Sequence, residues 1–161
     1  MTPRRGIALL LFFLVFGCRE RHLPHEGKSV AELEAMLHNA DPVVQWQGAF
    51  GLSLLGPRAQ PAVPSLVPLL RSPQPLVRQN AALALGNVGP EAREAVPALI
   101  ETLQDREWTV RRHAASALGE IGPDARASLA ALEGLKNDSD PLVRKAASAA
   151  VGKIRTAGGS R

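Results

Sequence analysis

Aromatic side chains are scarce in this sequence. They make up 4% of its 161 residues, and tyrosine is absent. The core therefore has to come from Leu, Val, Ile and Ala, which favours closely packed helices, because Ala and Leu cost least in a helix. Cysteine is nearly absent too. Cys18 stands alone, which excludes an internal disulfide. Charge of one sign is also lacking. The formal net charge is +4. If Arg4 and Arg5 belong to a removed leader, 19 basic residues become 17 against 15 acids. That bias is too small to imply nucleic-acid binding by itself. No apolar run is long enough to span a bilayer, which takes roughly 20 residues. Enough apolar residues remain (45%) for one domain with a core.

Residues 1–17 read as an export leader. Arg4 and Arg5 precede an apolar run from Ile7 to Phe16, and Gly17-Cys18 closes it. A charged start followed by roughly 7–15 apolar residues is the pattern of such leaders. Val15-Phe16-Gly17-Cys18 resembles a bacterial lipoprotein signal, in which a small residue precedes the cysteine that receives lipid. The resemblance implies an exported protein of the cell envelope, anchored to a membrane through Cys18. Residues 18–28 follow as a polar tether with Pro24 and Gly27, and no signal for regular structure.

From there the sequence repeats itself at a constant step, from Val44 to Val77 to Val110 to Val143. Eight positions after each valine stand Leu52, Leu85, Leu118 and Val151, and eleven after it Leu55, Val88, Ile121 and Ile154. Four and seven positions after each valine only small residues occur: Gly48, Ala81, Ala114 and Ala147, then Gly51, Ala84, Ala117 and Ala150. These spacings trace one face of an α-helix, with small residues where another helix comes close. Gly56-Pro57, Gly89-Pro90 and Gly122-Pro123 end each first-type helix, since Gly supplies the reversed backbone and Pro cannot continue the helix.

A second-type helix follows each break. Its apolar positions are Val63, Leu66 and Leu70, then Val96, Leu99 and Leu103, then Leu129, Leu132 and Leu135. One repeat earlier, Val30, Leu33 and Leu37 predict the same element, with Ser29 and Glu32 as a capping box. The expectation is all-α: about eight helices stacked as a short α-solenoid over residues 29–155, with a flexible tail at 156–161. Each pair alone exposes an apolar stripe that stacking buries.

The motifs "DPVVQ", "QPLVRQNAALALGNVGPEAREAVPALIETL", "VRRHAASALGEIGPDA" and "DPLVRKAASAAVGKI" resemble HEAT repeats of the short phycobilin lyase-like group. That group includes scaffolds, lyases, oxygenases and nucleic-acid binders, so fold alone does not choose a function. The resemblance implies a structural ladder in which Asp41, Glu107 and Asp140 cap helices and bridge to Arg78, Arg111 and Arg144 in neighbouring repeats. It also implies that second-type helices line a concave face. Outward positions there include Ser65, Pro68, Leu69, Ala98, Glu101, Thr102, Ala131 and Gly134.

Chemistry finds little support. Di-iron hydroxylases of the group carry His-Glu pairs early in the first-type helix. The matching positions here are Trp46-Gln47, Gln79-Asn80, Arg112-His113 and Lys145-Ala146. The one His-Glu, His25-Glu26, falls in the tether, and a hard metal site needs several converging ligands. His113 reads as a surface histidine. No Ser/His/acid grouping stands out. The expectation is therefore a non-catalytic scaffold or adaptor of the envelope, with no cofactor or metal, which binds a protein partner. The alternatives are an accessory subunit of a lyase- or oxidoreductase-like assembly, or a nucleic-acid binder, which an exported location disfavours. Ser65, Leu69, Ala98, Glu101 and Thr102 are the expected contact row. Trp46 is a separate candidate because tryptophan is a favoured interface anchor, whereas Trp108 is expected to pack in a turn.

The leader reading is testable through its one cysteine. Cys18→Ser is expected to release the protein from membranes or to block maturation. Unchanged membrane attachment, with no lipid on the mature N-terminus in a mass spectrum, contradicts it.

Overall fold

The computed structural model describes residues 25–156. The expected leader, Cys18, the expected tether as far as 24 and the expected tail from 157 lie outside the described residues. Within them the chain is an α-solenoid, and no strand occurs. Its helices are α1 (Val30–Leu37), α2 (Pro42–Leu55), α3 (Val63–Leu66), α4 (Pro75–Val88), α5 (Val96–Thr102), α6 (Trp108–Ile121), α7 (Leu129–Gly134) and α8 (Pro141–Thr156).

Only α1, α2, α4, α6 and α8 are α-helices of at least eight residues. The second-type elements α3, α5 and α7 are shorter than expected. Each is preceded by a 3-10 segment: Gly56–Ala62, Gly89–Ala95 and Gly122–Ser128. The cause is a spacing of three. In a 3-10 turn residues i and i+3 eclipse. Ala59 and Ala62, Ala92 and Ala95, and Ala125 and Ser128 all point inward, and each is fully buried. Pro68, in the middle of what would be the first such helix, then removes a donor and forces a second 3-10 stretch at Val67–Arg71.

The termini follow local rules. Ser29 and Glu32 form the capping box reciprocally: the Glu32 amide donates to Ser29 Oγ at 3.3 Å and the Ser29 amide to Glu32 Oε2 at 2.9 Å. Gly56, Gly89 and Gly122 end α2, α4 and α6 with φ of +57°, +79° and +76°. A side chain at these positions strains the backbone.

Helices α2, α4, α6 and α8 stack in sequence as one layer, with the second-type elements as the other. Val77, Ala81, Ala84, Leu85 and Val88 of α4 are fully buried, as are Val110, Ala114, Leu118 and Ile121 of α6. Two glycines set how close the layer packs. A Cβ on Gly86 would lie 3.0 Å from Ala117 Cα, and one on Gly119 would lie 2.9 Å from Ala150 Cα. At the N-terminal end α1 lies across α2 and closes it. Cβ atoms on Gly48 and Gly51 would meet Met36, Leu33 and His25.

Gly152 is the next member of the Gly86 and Gly119 series, and nothing lies within 4 Å of a Cβ there. Gly119→Ala and Gly152→Ala are therefore expected to have opposite signs. The first overpacks, at roughly 1–3 kcal/mol, more than alanine's helix propensity returns. The second stabilises by roughly 0.5–1 kcal/mol. Denaturant unfolding of the two variants checks this, and a shared sign contradicts the packing.

Candidate functional site

The repeated arginines hold the layers in register. Arg78 donates from Nε to Asp105 Oδ2 at 2.6 Å and from Nη2 to Asp105 Oδ1 at 2.8 Å. Its Nη1 donates to the Ser72 and Pro73 carbonyls. One repeat on, Arg111 makes the same fork to Asp138, both bonds 2.8 Å, with Nη1 on the Asp105 and Arg106 carbonyls. Arg144 keeps the carbonyl bonds, to Asp138 and Ser139. Gln45 replaces the arginine in the first repeat and donates to the Asn39 carbonyl.

The acids of this ladder are not the expected ones. Glu107 and Asp140 do not take Arg78 and Arg111; Asp105 and Asp138, two positions earlier, do. Asp105 and Asp138 are fixed from behind, because each accepts the amide two positions on at 2.9 Å. Of the helix-start acids, Asp41 and Asp140 keep the expected capping role without the expected bridge. Asp41 accepts the Val43 amide and Asp140 the Leu142 and Val143 amides. Glu107 makes no cap bond and lies 3.8 Å from Arg106. The column Asn39, Ser72, Asp105 and Asp138, one per repeat, is the signal that marks the true partners.

Burial raises the Asp105 carboxyl, but the Arg78 fork, the Glu107 amide and the charges of Arg78 and Arg106 together outweigh it and hold the group below its usual range. Asp138 is lowered mainly by Arg111. Both arginines are raised by these same bonds.

The concave row differs from expectation. Ala98 and Thr102 are 8% and 6% exposed, and Thr102 Oγ1 donates to the Ala98 carbonyl. They are covered because α5 lies between Val67–Arg71 on one side and Gly122–Ser128 on the other. Ser65 is half-buried and donates to Glu34 Oε1 at 2.6 Å. Leu69 is half-buried against the core, and Glu101 is exposed and paired with Arg71. Of the five residues, only Glu101 is fully open to solvent.

Trp46 is half-buried. Trp108, which the sequence places in a turn, is 39% exposed at the start of α6, and the Arg112 guanidinium sits 5.6 Å from its ring centre. Lacking the proline of the other repeats at this position, α6 begins with an aromatic that the neighbouring loop does not cover. His113 is half-buried rather than on the surface; burial pushes its pKa down, while its hydrogen bond to the Thr109 carbonyl opposes this. Among the described residues no three His, Cys, Asp or Glu side chains gather as a metal site. An open cleft of about 620 Å³ lies at the ends of α2 and α4, lined by Leu54, Asn87, Glu91 and Glu120, among others.

The family profile described as HEAT repeats matches residues 30–93 and 63–152. The chain belongs to the HEAT-repeat family. Among solved structures it is similar to an engineered protein at 28% identity and TM-score 0.67, covering 79% of this chain and 62% of that one. It is similar to human deoxyhypusine hydroxylase at 28% identity and TM-score 0.63, covering 81% of this chain and 45% of the hydroxylase. It also shares its fold with the complex of CpcE and CpcF of phycocyanin lyase from Nostoc sp., at 22% identity and TM-score 0.62, covering 75% and 79%. The HEAT-repeat chain thus spans less than two thirds of the first two proteins. No curated protein matches it significantly.

The ladder predicts an acid response. A carboxylate lowered in the folded state stabilises above its unfolded pKa and loses that contribution as pH falls through the folded one. Stability should therefore decline from about pH 4 downward, where unfolded carboxylates take up protons, and less so in Asp138→Asn. At neutral pH, Asp105→Ala should cost on the order of 3 kcal/mol, because it leaves the buried Arg78 unpaired. Denaturation curves across pH check both; an unchanged acid slope in Asp138→Asn contradicts the assignment.

Proposed function

We propose that this HEAT-repeat chain is a non-catalytic scaffold of the cell envelope that binds another protein. The observation that carries the reading is the exposed Trp108 with Arg112 over its ring. Tryptophan and arginine are the residues most enriched among interface hot spots. Stacking fixes the orientation of both side chains before binding, which lowers the ordering cost of association. The second-type row adds support. Leu69 offers apolar surface, and the exposed Arg71 and Glu101 pair flanks it as a polar rim. An extended partner segment fits a stack of repeats, because each repeat adds a similar strip of contact. The anchor expected at Cys18 would hold this surface at a membrane, which places the partner in the envelope.

Capture from intact envelopes tests the reading, with partners identified by mass. Trp108→Ala and Leu69→Arg are each expected to reduce the captured partner by about tenfold or more, as hot-spot loss does. Trp108→Ala should lower the melting temperature only modestly, because more than a third of the side chain is already in solvent. The purified chain is expected to carry neither stoichiometric iron nor a visible absorption band. Stoichiometric iron, or a partner set unaffected by both variants, contradicts the proposal.

A further inference from the structure

The first-type layer is graded in polarity along its length. Helix α2 contains no charged side chain, α4 one, α6 three and α8 four. The one in α4, Arg78, is buried in the ladder. The outward column at the helix ends shows the same trend: Leu54, Asn87, Glu120 and Lys153, one from each repeat. Val43 and Leu54, eleven positions apart, occupy one face of α2 and are 50% and 61% exposed. Leu76, the equivalent of Val43 on adjacent α4, is 56% exposed. Phe50, half-buried between them, meets the His25 ring edge-on at 5.1 Å. Three of the five large exposed apolar residues among the described residues thus lie on α2 and α4, which carry no exposed charged side chain, although Glu91 and Glu120 line the cleft beside Leu54. Of the other two, Trp108 has Arg112 over its ring, and Leu142 is the α8 member of the Val43 and Leu76 column, on a helix with four basic side chains.

Nothing in the packing of the solenoid requires Leu at 54, since Asn, Glu and Lys occupy the same column further on. The described chain starts at this face, with His25 against Phe50. Only seven chain steps separate His25 from Cys18, and they reach at most about 25 Å when fully extended. An anchor at Cys18 therefore keeps the apolar face close to the bilayer and the charged end of the stack free to point away.

We propose that the outward face of α2 and α4, formed by Val43, Leu54 and Leu76, rests on the lipid bilayer. The proposal rests on the reading of Cys18 as the anchoring residue. Three aliphatic side chains bind a bilayer weakly on their own. A short tether supplies the high effective concentration that makes such a contact persistent. The result is an oriented scaffold.

The single cysteine makes the test direct. The chain from residue 18 onward is coupled through the Cys18 thiol to a maleimide-headgroup lipid in phosphatidylcholine vesicles with brominated acyl chains. Trp108→Phe leaves Trp46, three positions after Val43, as the sole tryptophan; Trp46→Phe leaves Trp108. Quenching of Trp46 should exceed that of Trp108 by about twofold or more, as interfacial burial of one face requires. Adding Leu54→Asp and Leu76→Asp should abolish the difference while leaving the melting temperature close to that of the parent, since both side chains are exposed. Equal quenching, no quenching, or quenching that survives the two aspartates overturns the proposal. A face covered by a protein partner gives the unquenched result. Chemical coupling makes the outcome independent of natural processing. Lipid on Cys18 is read separately, by mass spectrometry of the cellular protein, so failure of the anchor and failure of the contact are distinguishable.

Discussion

Backbone contact between successive first-type helices is the constraint on which the rest of this structure depends. Gly86 against Ala117 and Gly119 against Ala150 leave no room for another methyl group. At that separation the helices have one way to sit against each other, and the bidentate Arg78–Asp105 and Arg111–Asp138 bonds fix how far each slides along its neighbour. Spacing and register are thus set repeat by repeat from within. The outward positions take no part in those contacts and differ between repeats, although some bridge repeats themselves, as Asn87 does to the Ser53 carbonyl and Lys153 to Glu120.

The sequence exposes this architecture unevenly. Columns of valine, leucine and alanine at a constant step reveal the first-type helices directly, because each column faces the same environment in every repeat. Ser29 with Glu32 and the three Gly-Pro pairs are local signals and mark helix ends without help from tertiary structure. The second-type elements are harder. Their alanines recur at three rather than at three and four, and that small change separates a 3-10 turn from an α-helix. Ladder partners are harder still, since Arg78 and Asp105 lie nearly a full repeat apart in sequence, and the acid nearest the helix start looks the better candidate. Ala98 and Thr102 read as outward on their own helix; they are buried because neighbours flank α5 on both sides, a fact no single repeat contains. Trp108 is legible as a departure from proline, but its exposure depends on what the adjacent loop leaves uncovered.

Members of this fold serve different ends, as its likeness to an engineered protein, a hydroxylase and a lyase subunit complex illustrates. The distinguishing evidence lies in how this chain decorates a common frame. One end of the first-type layer is uncharged and carries exposed Val43, Leu54 and Leu76 beside the start of the described chain. Further along, the same layer carries Trp108 with Arg112, and then the basic α8. A rigid stack joins these surfaces, so whatever fixes one end also aims the other. The proposed bilayer contact and partner contact would then be two consequences of one graded surface held at fixed spacing.

The most direct test of that account is site-specific photocrosslinking in intact cells, with a crosslinking residue placed at position 54 on α2 in one variant and at Ser116 on α6 in another. Both positions are exposed and lie on the same layer, with α4 between their helices. The account predicts lipid adducts from position 54 and a discrete protein adduct from position 116. Protein adducts from position 54, or lipid adducts from position 116, would contradict it.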